Sequence, residues 1–412
     1  MIFKILKKAK TVLTYFLVYY PIYFFSFLTP RKKNRWIFGS AHGFSDNSKY
    51  LFIEVNESHK EIRAIWISRD RESPVTIRAL GFEAYYLWSL KGFYYLLTSR
   101  VYISSHTFSN SLFLWTLGTA KFIQLWHGVP LKNMQFKIAA GRDYAQFNHW
   151  LLKWVYYPFK LTRYKKPDLF LKTSKISGLN YIESFNLKET ILFEAEYPRC
   201  EILSLQSQES EKFICKYEML ETVEFLNQLK KYRKIFFYMP TWRSYSLDYL
   251  KKAAFNYEAL NQALVKLDAV MVFKLHPLTP ESVLSEVKGF SNILTINPKI
   301  DVYPILSMLH VLITDYSSIY FDFMNVKDAY TIFFPFDMDE YKNHDYSIAY
   351  DYDENINGIR VNTFDELLDS LKTESYKNID IQKNKALYEK FWGKPEDKKD
   401  LILEIKTLVG LS

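Results

Sequence analysis

The chain has 412 residues, with 54 basic against 45 acidic side chains, a formal charge of +9 and a pI near 9.0. Its length and 49% hydrophobic content supply two or three domains with buried cores, and scarce glycine (12) and proline (14) beside 18% aromatics exclude a disordered chain. Two cysteines, Cys200 and Cys215, exclude a disulfide scaffold, fit a reducing compartment and form no CxxC or Cys/His cluster of the kind that holds zinc.

The first segment, residues 1–35, is basic and aromatic. Lys4, Lys7, Lys8, Lys10, Arg31, Lys32, Lys33 and Arg35 precede the first acid, Asp46, and flank an uncharged run from Thr11 to Pro30 rich in Tyr and Phe. The run is barely long enough to span a bilayer. Pro21 interrupts it, tyrosines occur throughout, and cations at both ends give no orientation. A segment lying in the cytoplasmic leaflet is therefore expected ahead of a single span, and a signal peptide is not, because no small-residue cleavage site follows. Residues 149–166 read as a second membrane-surface element. Trp150, Trp154 and Tyr157 share one helical face, followed by Lys160, Arg163, Lys165 and Lys166; the alternative is an ordinary packed helix with solvated lysines. Residues 1–45 and 144–167 together hold +13, leaving −4 for the remainder. Charge placed this way points to an anionic membrane surface and not to nucleic acid.

Continuous apolar runs at 36–38, 64–68, 101–104, 122–126, 234–239, 269–274, 311–314 and 330–334 alternate with helical patterns. They predict parallel sheets covered on both faces, in two facing doubly wound α/β domains, 36–205 and 206–412, joined at a polar helical stretch.

Parallel sheets bind ligands at the carboxyl ends of their strands, where the unusual polar clusters fall. Trp126-His127-Gly128-Val129-Pro130-Leu131-Lys132 follows the fourth run, Pro240-Thr241-Trp242-Arg243 the fifth, Lys274-Leu275-His276-Pro277 the sixth and Asp315-Tyr316-Ser317-Ser318 the seventh. Ser317 and Ser318 open a helical pattern, so amides and hydroxyls there face an anion, or one of them simply caps the helix. Arg243 and Lys274 offer cations for phosphate oxygens. His276 is placed to donate a proton, and His127, before a glycine that permits close approach, to act as a base from the other domain. Asp337-Met338-Asp339 has the DxD form used by metal-dependent glycosyltransferases, yet it sits in an acidic loop and reads as a solvated turn, so no metal ligand is expected.

In this order these motifs resemble the CDP-glycerol glycerophosphotransferase family of teichoic-acid and capsule polymerases. Further similarity lies at Tyr197-Pro198-Arg199, Phe336-Asp337-Met338-Asp339-Glu340-Tyr341 and Phe391-Trp392-Gly393. The resemblance implies a GT-B arrangement, with an acceptor domain first and a CDP-donor domain second, at the cytoplasmic face of the cell membrane. It implies CDP-glycerol as co-substrate without a tightly bound cofactor, and a polyprenyl-diphosphate-linked acceptor whose hydroxyl attacks the β-phosphate and releases CMP. His127 would be the base; Thr241, Arg243, Lys274, His276, Ser317 and Ser318 would hold the donor, Asp315 would orient its neighbours or a donor hydroxyl, and Gly128 and Lys132 would support the base. Glu196 and Cys200-Glu201 depart from the family's usual residues around Tyr197-Pro198-Arg199, which leaves that segment without an assigned role. A CDP-ribitol transferase, a GT-B glycosyltransferase and a non-catalytic membrane-associated binding protein are the competing readings.

Overall fold

Runs of β-branched and aromatic residues pair as parallel strands because both faces of each strand find helices to bury against. The computed structural model describes residues 12–411 apart from 107–110, 139–143, 152, 153, 155, 156, 160–163, 206, 244, 245, 247, 248, 277, 299 and 345–347. The first sheet contains β1 (Lys32–Gly39), β2 (Arg63–Ser68), β3 (Ala84–Tyr86), β4 (Ser99–Ser104), β5 (Lys121–Gln124), β6 (Leu169–Lys172) and β7 (Leu192–Glu194), in the order β3-β2-β1-β4-β5-β6-β7. The second contains β8 (Lys234–Tyr238), β9 (Ala269–Phe273), β10 (Ile293–Thr295), β11 (Val311–Thr314), β12 (Tyr330–Phe333) and β13 (Ile359–Arg360), in the order β10-β9-β8-β11-β12-β13. Every pairing in both sheets is parallel. The sheets switch direction between β1 and β4 and between β8 and β11, which is where doubly wound sheets open a crevice.

All eight expected strands form. The strands β3, β6, β7, β10 and β13, of two to four residues, were not anticipated. The run 122–126 is shorter as a strand than expected, because Trp126 turns to φ +57° and leaves the sheet. The polar stretch near 206 becomes the helices Ser207–Tyr217 and Leu220–Leu229, between the two sheets in the chain. The last boundary needs correction. Helices Ile381–Trp392 and Leu401–Val409 return to the first domain, where Thr173 Oγ1 donates to the Phe391 carbonyl (2.7 Å) and Lys406 pairs with Glu61. One buried apolar cluster therefore runs through both domains, from Trp36 and Ile123 to Phe237, Leu312 and Ile405.

The amino-terminal segment differs from its expectation in two ways. Its tyrosines face inward: Tyr15, Tyr19, Tyr20 and Tyr23 pack against Trp115 with ring centroids 5.2–6.0 Å apart. The wide π-turn Tyr15–Tyr19 precedes helix Tyr20–Ser26, where Pro21 cannot donate a helical bond. Arg31 is not a headgroup cation. Its guanidinium donates to the carbonyls of Leu96, Ser99, Ser26 and Thr116 at 2.7–3.1 Å, fastening the segment to the domain. Lys32 and Lys33 begin β1 and are exposed, Lys33 reaching the Gly410 carbonyl (3.1 Å). Lys7, Lys8 and Lys10 lie outside the described residues, as does much of 149–166, of which Tyr157–Phe159 forms a short 3-10 turn. Among the described residues no helix is long and apolar enough to cross a membrane.

Arg31→Ala removes a charged donor from four carbonyls at once and is expected to lower unfolding stability by about 2–4 kcal/mol in a urea titration, whereas Lys33→Ala stays within about 0.5 kcal/mol.

Candidate functional site

The loop after β5 is built to present an imidazole. Trp126 at φ +57° and Gly128 at φ +131° bend the chain around His127, and Asn47 Nδ2 holds the Trp126 carbonyl at 2.9 Å. An L-residue in the left-handed region costs about 1 kcal/mol or more, which the buried hydrogen bonds offset. His127 Nδ1 lies 3.0 Å from the Ser105 carbonyl. A carbonyl only accepts, so Nδ1 carries the proton and Nε2 keeps its lone pair. Burial holds the His127 pKa below the usual imidazole value; Asp46 opposes this, while Arg199 and His42 add to it. The ring is therefore neutral at pH 7.

Three residues around it went unmarked in the sequence reading. His106, just past the end of β4, stacks on His127 with centroids 4.6 Å apart and planes 9° from parallel. Burial presses its pKa down to about 3. Its Nε2 lies 3.6 Å from Asp46 Oδ2. His42, in the loop after β1, meets the His106 ring edge-on at 5.0 Å. The signal was present, since all three lie at or just beyond strand ends and His42 and His106 flank the β1/β4 switch.

The donor-side cluster comes together at the β8/β11 switch, with reassigned roles. Arg243 does not face a ligand: it is fully buried, gives Nε and Nη2 to Asp337 (3.0 and 2.8 Å), and gives Nη1 to Asp315 Oδ2 (2.6 Å) and the Thr241 carbonyl. The rings of Tyr249, Tyr316, Phe336 and Tyr341 surround it. Two carboxylates already satisfy this cation, so it braces the strand-end loops. Asp337 is accordingly no solvated turn residue. Asp315 orients its neighbours, its Oδ1 accepting from the amides of Thr241 (2.8 Å) and Tyr316 (2.6 Å). Lys274 Nζ donates to the carbonyls of Pro298 (2.7 Å) and Ile300 (3.0 Å), and burial lowers its pKa to about 8. Lys132 sits at the seam between domains, bridged to Ile348, with Nζ 5.1 Å from the Tyr341 ring centroid.

Neutral donors remain for a phosphate. His276 Nδ1 accepts from the Leu278 amide (3.2 Å), so Nε2 carries a proton; the exposed ring stacks on Trp242 at 4.4 Å. Pro277 lies outside the described residues. Burial, then His42 from the facing domain, lowers the His276 pKa. The Thr241 hydroxyl is buried with no hydrogen-bond partner among the described residues. The Ser317 hydroxyl accepts a long bond from the Ile319 amide (3.4 Å). Ser318 begins helix Ile319–Phe323 without capping it by its side chain, so simple N-capping does not account for both serines.

The two halves touch at Gly128. A Cβ there would lie 3.0 Å from Arg199 Nη2 and 3.4 Å from Ser318 Oγ, so only glycine lets the base loop approach the serine turn. Arg199, from the segment left without a role, is buried at this point. It donates Nη1 to Asp46 Oδ1 (2.8 Å) and Nη2 to Asp322 Oδ2 (2.5 Å), while its amide donates to Asn47 Oδ1 (3.2 Å). Among the described residues no group of three or more His, Cys, Asp or Glu side chains could hold a metal ion.

Residues 21–400 match the family model described as CDP-glycerol:poly(glycerophosphate) glycerophosphotransferase. The chain is 27% identical over 392 residues to a teichoic acid poly(glycerol phosphate) polymerase of Bacillus spizizenii, covering 91% of this chain and 92% of that protein. It is 24% identical to a teichoic acid glycerol-phosphate transferase of Staphylococcus aureus, covering 87% and 89%. A solved structure of the wall teichoic acid polymerase TagF shares the fold, with a TM-score of 0.72 at 21% identity over 100% of this chain and 98% of that one.

Arg243→Ala leaves Asp315 and Asp337 buried without a counter-charge and is expected to cost about 3–5 kcal/mol of stability, read by urea unfolding. A residue that only bound phosphate would raise the donor KM with stability unchanged.

Proposed function

The chain belongs to the CDP-glycerol:poly(glycerophosphate) glycerophosphotransferase family, and on that premise we propose how its cleft carries out the reaction and where the acceptor arrives. The enzyme transfers glycerol phosphate from CDP-glycerol in teichoic acid synthesis. A hydroxyl of a lipid-linked acceptor enters from the first domain. Its proton passes to His127 Nε2 as its oxygen bonds to the β-phosphorus. The bond from that phosphorus to the bridging oxygen breaks, and CMP leaves with the electron pair. His276 Nε2–H, Ser317, Ser318 and Thr241 donate to the diphosphate, and Lys274 adds positive charge beside them. The observation that carries this reading is His127, whose Nδ1 is held by the Ser105 carbonyl so that Nε2 keeps its lone pair, on a loop whose Gly128 lies so near the donor-side turn that a Cβ there would sit 3.4 Å from Ser318 Oγ.

The exposed aromatic face supports delivery from a membrane. Phe16, Leu17, Phe24, Phe25 and Leu28 are 55–81% exposed, Trp150 is 74% and Trp154 63% exposed. Tyr20 OH donates to the Pro158 carbonyl (2.9 Å), which places the two aromatic stretches side by side. Such a face, followed in the chain by the exposed Lys32 and Lys33, suits the headgroup layer of an anionic leaflet. The enzyme is then a peripheral protein at the cytoplasmic face.

His127→Ala is expected to lower kcat by about 10²–10⁴-fold while calorimetric CDP-glycerol binding persists; near-normal turnover overturns the base assignment. Replacing Phe24, Phe25, Trp150 and Trp154 together by serine is expected to abolish co-sedimentation with anionic vesicles and to spare activity on a soluble acceptor analogue. Unchanged sedimentation contradicts the membrane face.

A further inference from the structure

The role of His127 leaves unexplained a buried set of charges directly behind it. Arg199 lies between Asp46 of the acceptor domain and Asp322 of the donor domain, and Tyr303 OH donates to the same Asp322 oxygen at 2.6 Å. Asp46 also faces His106, whose ring covers His127. Its neighbour Asn47 ties the Arg199 amide to the Trp126 carbonyl, one residue before His127. Asp46 sits at φ +67°, a strained conformation for an aspartate that the two interactions over-determine. Asp322 lies in the short helix Ile319–Phe323 that follows Ser317 and Ser318, so one guanidinium is bonded both to the base loop's support and to the donor-side turn.

We propose that Asp46 and Arg199 are positioning residues for the transfer, acting through His127, and that the bond from Arg199 to Asp322 ties the support of the base to the donor domain. This rests on His127 being the base. The groups that act on His127 are Asp46 and His42 from the segment after β1, Ser105 and His106 from the loop after β4, and Arg199 from the segment after β7; Asp322 of the donor domain reaches it only through Arg199. Asp46 favours the protonated imidazole and Arg199 disfavours it, so removing each charge moves the base in opposite directions.

The test compares kcat/KM against pH for Asp46→Asn and Arg199→Gln with CDP-glycerol and a soluble acceptor analogue, alongside NMR titration of ¹³C-labelled histidines assigned with His127→Ala. Loss of Asp46 should move the acid limb and the His127 titration down by about 0.5 pH unit or more; loss of Arg199 should move both up by a similar amount. In both variants kcat should fall at least tenfold with the CDP-glycerol KM within threefold, since neither residue touches the donor. Arg199→Lys keeps the charge but not the two-carboxylate fork, and should show the kcat loss with a smaller displacement of the limb. If Arg199→Gln does not fold, Arg199→Lys and Asp46→Asn decide. Shifts in the same direction, or none, in the NMR titration overturn the proposal. Opposite NMR shifts with unmoved rate profiles uphold the charge coupling and instead refute His127 as the base.

Discussion

The structure depends on one buried cation shared by two domains. Arg199 and Asp322 are buried and Asp46 is nearly so, and an unpaired charge there costs several kcal/mol. Burial opposes ionisation of Asp46, but Arg199 and the nearby histidines outweigh it and hold that carboxyl below its usual value. At Asp322 burial prevails and its pKa is raised. A second buried set reinforces the seam: Lys49 of the first domain pairs with Glu218 (2.5 Å) and Asp301 (3.0 Å), and Asp301 adjoins Ile300, whose carbonyl holds Lys274. Charge pairing therefore fixes the distance between the base loop and the donor loops more sharply than apolar packing, which tolerates sliding.

The same economy explains why neutral groups remain to meet the substrate. The strong cations near the cleft are committed: Arg243 to Asp315 and Asp337, Arg199 to Asp46 and Asp322. What stays available is hydroxyl and imidazole, the groups that, with Lys274 beside them, would meet the diphosphate in the proposed transfer. The neutral state of His127 follows from burial, and its orientation from a single backbone carbonyl.

Much of this was legible in the sequence. The eight long apolar runs read correctly as strands, and clusters after strand ends marked both halves of the cleft, because strand period and loop chemistry are local properties. What escaped was set by partners distant in the chain. Arg243 and Asp337 lie 94 residues apart and Arg199 and Asp322 123 apart, so no local pattern could show that Arg243 is a brace or that Arg199 is a bridge. His106 and His42 were legible from their places just past strand ends; only their contacts with His127 and Asp46 depended on distant partners. Arg31 looked like a headgroup cation because its carbonyl partners carry no sequence signature.

The central claim concerns which group is transferred, and product mass spectrometry tests it most directly. Purified enzyme supplied with a polyprenyl-diphosphate-linked acceptor and CDP-glycerol, CDP-ribitol or UDP-sugars in separate reactions should yield acceptor species heavier by glycerol phosphate units only, with CMP released in equal number. Products bearing ribitol phosphate or a sugar, and none from CDP-glycerol, would contradict it.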